Sequence, residues 1–260
     1  MRKIICITCL IFISLFVFSQ SEKIETDRPG YTNTSNTTPA KWIQFETGFL
    51  RQSDKFNPPY KDLLFQHPSI VTKYGIGKRL ELRLITDIST IIDEAINLTD
   101  TRTGLTNLQI GAKWNFLKEK KIRPNIAIIA HYNFLRFKII TNRYDSVDGA
   151  NFRFAMEHTL SRSFSLGYNV GMEWRSFPSK PAYTYSVAPK LKIDEKWLIF
   201  VEVFGFAWKK RTPENSIDFG VAYYISNNFK IDASAGFGLN KKAPDNFYSI
   251  GTSFRFKAGK

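Results

Sequence analysis

The sequence predicts an all-β protein, a transmembrane antiparallel up-and-down β-barrel of about 12 strands. Three observations carry that reading. Segments of about ten residues alternate apolar and polar side chains, the period of a strand with two different faces. The links between them alternate short and long, as hairpins stacked in a meander require. An apolar leader of exported type precedes them.

The elements follow in order. Met1-Arg2-Lys3 is a short positive region, and Ile4 to Phe18 is mostly apolar. Val17 and Ser19 are small enough for a cleavage site before Gln20, so residues 1–19 read as a signal peptide. Residues 20–41 carry no strand pattern. They read as a periplasmic tail or a plug, and the sequence leaves both open. Residues 42–257 form the barrel. Its expected strands are roughly Trp42–Arg51, Phe65–Ile76, Leu80–Ser89, Thr106–Phe116, Asn125–Phe134, Asn151–Leu160, Phe164–Arg175, Tyr183–Ile193, Trp197–Trp208, Ser216–Ile225, Phe229–Leu239 and Phe247–Lys257. In the seventh, Phe164, Leu166, Tyr168, Val170, Met172 and Trp174 oppose Ser165, Gly167, Asn169, Gly171, Glu173 and Arg175. Short links such as Gly77-Lys78-Arg79 and Asp194-Glu195-Lys196 follow even strands. Long ones such as Gln52–Leu64, Thr90–Leu105 and Leu135–Ala150 follow odd strands. That asymmetry is the one between periplasmic turns and extracellular loops in outer-membrane barrels.

Alternation alone does not say which face is wet. Export, an even strand count and strands long enough to cross a bilayer at a tilt put the apolar face in lipid. The mean hydropathy of −0.24 excludes a helical membrane bundle. The five Trp lie near strand ends, as expected of an aromatic girdle. Both cysteines, Cys6 and Cys9, lie in the leader, which excludes a disulfide framework and a thiol nucleophile in the exported chain. The formal charge is +14, spread along the chain. Spread in this way, it does not argue for a nucleic-acid partner. The cluster Lys209-Lys210-Arg211 suits anionic lipopolysaccharide headgroups instead.

Short stretches carry a resemblance: Thr26-Asp27-Arg28-Pro29, Gln44-Phe45-Glu46-Thr47-Gly48, Tyr74 to Arg83, Gly111-Ala112-Lys113, Tyr168-Asn169-Val170-Gly171, Val201 to Gly205, and Asp218-Phe219-Gly220 through Gly236 to Asn240. The chain resembles, over about residues 24–257, the outer-membrane family labelled "putative meta-pathway of phenol degradation". The resemblance implies a barrel transporter for small organic compounds and supplies no catalytic residues. The ending Lys257-Ala258-Gly259-Lys260 departs from the terminal aromatic that the barrel-assembly machinery reads.

With the apolar face in lipid, the other face lines the lumen. The candidate solute pathway is Glu46, Lys73, Glu81, Arg83, Lys113, Arg153, Glu173, Arg175, Glu202, Lys230, Asp232 and Arg255. Gln44, Asp87, Gln109, His131, Glu157, Lys190, Lys192 and Asp218 share that face. Hairpin register suggests the pairs Lys73 with Glu81 and Arg153 with Glu173. Arg83, Lys113 and Arg175 are then left to set a field for solutes. His67, His131 and His158 sit on different strands and suggest no metal site. His67 and Ser69 share a face, but nothing nearby orients the histidine for hydrolysis. No phosphate-cradling motif is present, and no cofactor is implied. The expected protein is a non-enzymatic outer-membrane channel for small organic solutes, aromatic ones among them. The alternative is a non-conducting barrel that is structural or binds ligands through its outer loops.

Overall fold

A computed structural model describes residues 22–56, 60–95, 98–140, 143–146 and 148–259. The leader lies outside the described residues. The strands are β1 (Trp42–Phe56), β2 (Tyr60–Gly75), β3 (Leu80–Ala95), β4 (Leu98–Leu117), β5 (Asn125–Ile140), β6 (Arg143–Ser146), β7 (Gly149–Thr159), β8 (Phe164–Trp174), β9 (Ala182–Lys192), β10 (Trp197–Ala207), β11 (Glu214–Ser226), β12 (Phe229–Gly238) and β13 (Asn246–Lys257). Each pairs antiparallel with its neighbours, and β1 pairs with β13, from Trp42 opposite Lys257 to Ser53 opposite Asn246. β4 pairs with β5 and β5 with β7, so the sheet closes. The barrel has 12 strands, and β6 is a short hairpin partner on the outer end of β5.

The expected strand number holds, and the expected lengths do not. β1 to β5 run well past their predicted ends, so the long links are extended hairpins rather than irregular loops. The cause is polar pairing above the membrane. Lys61 meets Glu94 at 3.4 Å, Arg102 pairs with Asp93, and the Thr90 and Thr103 hydroxyls lie 2.7 Å apart. These extensions carry polar side chains on both faces, so the alternation that marks a membrane strand is absent there. At the opposite end, side chains close the short turns. Asp194 Oδ1 accepts from the amides of Lys196 and Trp197 at 2.7 and 2.8 Å. Ser161 Oγ accepts from the Phe164 amide at 3.0 Å. These local bonds are why Asp and Ser open two-residue and three-residue turns.

The faces sort as expected. Ile250, Phe219, Tyr248, Phe237, Val201 and Ile231 project outward and are exposed. The largest fully buried side chains are mostly polar, including Lys73, Lys113, Gln44, Glu46, Glu81 and Glu202. An apolar exterior around a charged interior is stable only with lipid outside. The girdle is partial. Trp114 and Trp197 are exposed on the outside. Trp42 instead lies under the Arg255 guanidinium, and Trp208 lies against Arg175, both on the inner face. The β1–β2 and β2–β3 ladders shift register between Gly48 and Leu50 and between Gln66 and Ser69.

Phe219 sits in the middle of β11, 53% exposed toward lipid. Phe219→Arg should destabilise the folded barrel by about 2–4 kcal/mol in urea titrations in bilayers, the midplane cost of a lipid-facing cation. Thr101→Arg, on the β3–β4 extension, should stay within about 0.5 kcal/mol.

Candidate functional site

Residues 22–41 lie inside the barrel and touch all twelve of its strands. Twenty residues without a strand pattern cannot satisfy their own backbone, so they bond to the wall. Wall charges, equally, cannot stand bare in a narrow interior. Each solves the other's problem.

The centre is Asp27. Its Oδ2 accepts from Lys73 Nζ at 2.6 Å and from Arg83 at 2.7 Å. Its Oδ1 accepts from Lys113 Nζ at 3.2 Å and from the Thr34 amide at 2.9 Å. Its own amide donates to Glu46 Oε2 at 3.0 Å. Three adjacent strands, β2, β3 and β4, thus point cations at one carboxylate. Glu46 also pairs with Lys73, and Glu81 accepts from Arg83 at 2.9 Å and lies 3.6 Å from Lys113. The cluster balances at three acids and three bases only because Asp27 is there. Burial alone would raise its carboxyl, but Lys113, Lys73 and Arg83 together hold it well below the ordinary carboxylate value.

Arg28 reaches the other way. It meets Asp232 Oδ1 at 3.1 Å and Ser249 Oγ at 2.9 Å. Its guanidinium lies against Gly48 and Gly251, which face each other across the β1–β13 seam. A Cβ on either glycine would overlap it. Further along, the amides of Tyr31 and Thr32 and the Thr32 hydroxyl all donate to Glu202. Lys230 Nζ donates to the Arg28 carbonyl at 2.9 Å, and the Thr38 amide to Glu81 at 2.6 Å. Asn169 accepts from the Asn33 amide at 2.6 Å, and Asn125 donates to Ser35 Oγ at 2.8 Å. Ser186 Oγ accepts from Thr32 at 2.7 Å, and Lys23 lies over the Tyr224 ring on β11. Arg153 lies 4.1 Å over the Tyr31 ring and donates to its hydroxyl, and Arg255 donates to the Glu22 carbonyl.

Ten of the twelve candidate pathway residues therefore hold the N-terminal segment, and three of these, Glu202, Lys230 and Arg255, also line the turn-side cavity. The expected cross-strand pairs are corrected. Lys73 lies opposite Arg83, and Arg153 lies opposite Gly171, each two residues off the suggested partner. Lys73 bonds to Asp27 and Glu46 instead, and Arg153 to Tyr31. Arg83 and Lys113 are not left over, because Asp27 neutralises them. Glu173 and Arg175 stand apart at the outer mouth. Arg175 lies 3.5 Å from Glu173 and 3.9 Å from Glu214.

The segment divides the interior. On the turn side, a cavity of about 1350 Å³ runs between it and the wall, lined by Glu25, Asn36, Lys78, Lys190 and Lys192 among others. On the loop side, a cavity of about 790 Å³ lies between Glu173, Arg175, Trp208, Lys210 and Glu214. Asp27, Arg28 and Tyr31 are functional residues that strand counting missed; their one signal is the Thr26 to Pro29 stretch. The inward aromatics Phe200, Phe204 and Phe206 were missed because both faces of β10 are apolar. His67 Nε2 pairs with the Thr90 hydroxyl at 2.7 Å. His131 accepts from Arg83 at 3.0 Å and contacts Asn151 at 3.0 Å.

This arrangement defines a transmembrane β-barrel of outer-membrane type, with its N-terminal segment folded into a charged lumen. The chain belongs to the family described as "Putative MetA-pathway of phenol degradation", whose profile matches residues 26–256. Among solved structures it is similar to an outer membrane channel from Pseudomonas putida F1, with a TM-score of 0.63, 10% identity, and 85% of this chain and 98% of that one covered. It is also similar to the CymD monoaromatic hydrocarbon channel, with a TM-score of 0.51, 10% identity, and 84% and 89% covered. The KdgM porin gives a TM-score of 0.50, 11% identity, and 83% and 99% covered. At these identities the likeness is one of fold. No curated protein sequence matches the chain.

Asp27→Asn should leave three buried cations against two carboxylates and weaken docking of the segment by about 3–5 kcal/mol. Limited proteolysis of the folded barrel should then cut within residues 22–41, which wild type protects. The pH dependence has a definite sign. A depressed folded pKa means that Asp27's contribution is complete above its ordinary value of 3.8 and fades as pH falls below it. Wild-type protection should hold from pH 7 to 4.5 and approach that of Asp27→Asn in stronger acid.

Proposed function

We propose that the chain is a channel of the outer membrane that passes small organic solutes passively through a narrow polar lumen. The observation that carries this reading is the pair of cavities, one at each mouth, separated by a segment anchored by ion pairs at Asp27 and Arg28 and by Tyr31 against Phe204. The family and the similar structures, an outer membrane channel and a monoaromatic hydrocarbon channel, support it. Aromatic solutes are included on that ground. No catalysis and no cofactor enter this function. Its partners are the lipid bilayer around the apolar belt, lipopolysaccharide at the basic outer loops and the barrel-assembly machinery during insertion.

A second reading has an observation of its own. Contact of residues 22–41 with every barrel strand favours a closed barrel that works through its outer loops. Planar-bilayer recording separates the two. Wild type should give small discrete current steps, and Asp27→Asn combined with Arg28→Gln should give steps at least twofold larger. No current from either protein, with the barrel folded by heat-modifiable gel migration, would favour the loop-binding reading.

A further inference from the structure

We propose that the outer mouth carries a recognition site for aromatic carboxylates, built from Arg175, Phe206 and Trp208. It names the solute class of the channel above and rests on that reading. β10 turns Phe204 and Phe206 inward, and Trp208 follows on the same face. The Phe206 and Trp208 rings stack 6.2 Å apart at 22°. Tyr31 of the N-terminal segment continues the ladder, 4.9 Å from Phe204 and 5.4 Å from Phe206. An aromatic track therefore runs from the outer mouth down to the segment.

Cations flank this track at both ends. Arg175 lies 5.1 Å over Phe206 and 5.0 Å over Trp208, and Arg153 lies 4.1 Å over Tyr31. Arg175 Nε makes no hydrogen bond and only a long ion pair, 3.5 Å from Glu173 Oε1, and Nη2 lies 3.9 Å from Glu214 Oε2. A planar guanidinium held against rings with an unsatisfied N–H is prepared for a carboxylate. The cavity in front of it, about 790 Å³, is lined by Arg175, Lys180, Lys209, Lys210, Arg211 and Lys242 against the acids Glu173 and Glu214. Its field draws anions. Trp208, which lines the cavity, then separates a ring-bearing anion from an aliphatic or inorganic one, because only the former packs on its indole. The cavity opens over the lumen among three loops, so an occupant held between Arg175 and Trp208 is a solute facing the lumen.

The test uses the refolded full-length barrel and benzoate as the probe. In bilayers at neutral pH, benzoate should block or modulate the ionic current at concentrations at least tenfold lower than acetate, and benzylammonium should fail to do so. Arg175→Gln should weaken the benzoate effect tenfold or more, and Lys120→Gln, at the opposite rim, should not. Equal effects of benzoate, acetate and benzylammonium, or an undiminished benzoate effect in Arg175→Gln, would overturn the site. Binding is read separately by tryptophan fluorescence of the folded barrel. Saturable quenching by benzoate that is lost in Trp208→Phe and weakened in Arg175→Gln supports the site even where no current flows, in which case the channel reading alone has failed. Quenching that is absent or does not saturate, or that survives in both variants, removes the site whatever the conductance.

Discussion

Everything inside this barrel depends on one carboxylate. β2, β3 and β4 each bring a cation to nearly the same point, and like charges at that distance in a low-dielectric interior cannot coexist unneutralised. The wall supplies Glu46 and Glu81, one acid too few. Asp27 makes up the difference from outside the sheet. The position of the N-terminal segment is therefore set by charge balance, and its neighbours follow from that anchor. With Asp27 fixed, Arg28 points at the β12–β13 side and Tyr31 falls onto the inner face of β10.

The barrel separates two solvation problems. The outer surface is handled by the strand period alone, because lipid asks only that side chains be apolar. The inner surface is handled by specific pairing, because every lumen charge needs a partner at hydrogen-bond distance. At the outer mouth, Arg175 keeps only long ion pairs with Glu173 and Glu214. Below it the matching is close but incomplete: Arg28 Nε, Asp87 Oδ1, Asp218 Oδ1 and Asp232 Oδ2 are buried without a hydrogen-bond partner.

Strand number, closure and the sidedness of the links were legible because a period of two survives in any register. Glu46, Lys73, Arg83 and Lys113 were legible as inward-facing for the same reason. Their partners were not. Alternation says which face a residue takes but not what lies opposite, and each suggested pair was two residues off. The N-terminal segment was opaque because it has no period: its conformation is set by Asp27 and Arg28 bonding to residues 19 to more than 200 positions away. The aromatic side of the lumen was hidden by β10, where apolar side chains on both faces erase the contrast that marks the inside. The outer hairpins failed for the opposite reason, since Lys61, Glu94, Asp93 and Arg102 put polar side chains on both faces.

The glycine pair at the seam bears on how the molecule is put together. Gly48 belongs to the first strand and Gly251 to the last, and Arg28 lies across both while bonding to Asp232 and Ser249. A growing sheet that has β1 but lacks β12 and β13 offers that guanidinium half a berth and no acid. Arg28 can complete its contacts only when the two ends of the chain have met. The lodged segment thus also bridges the seam between β1 and β13 that closes the cylinder.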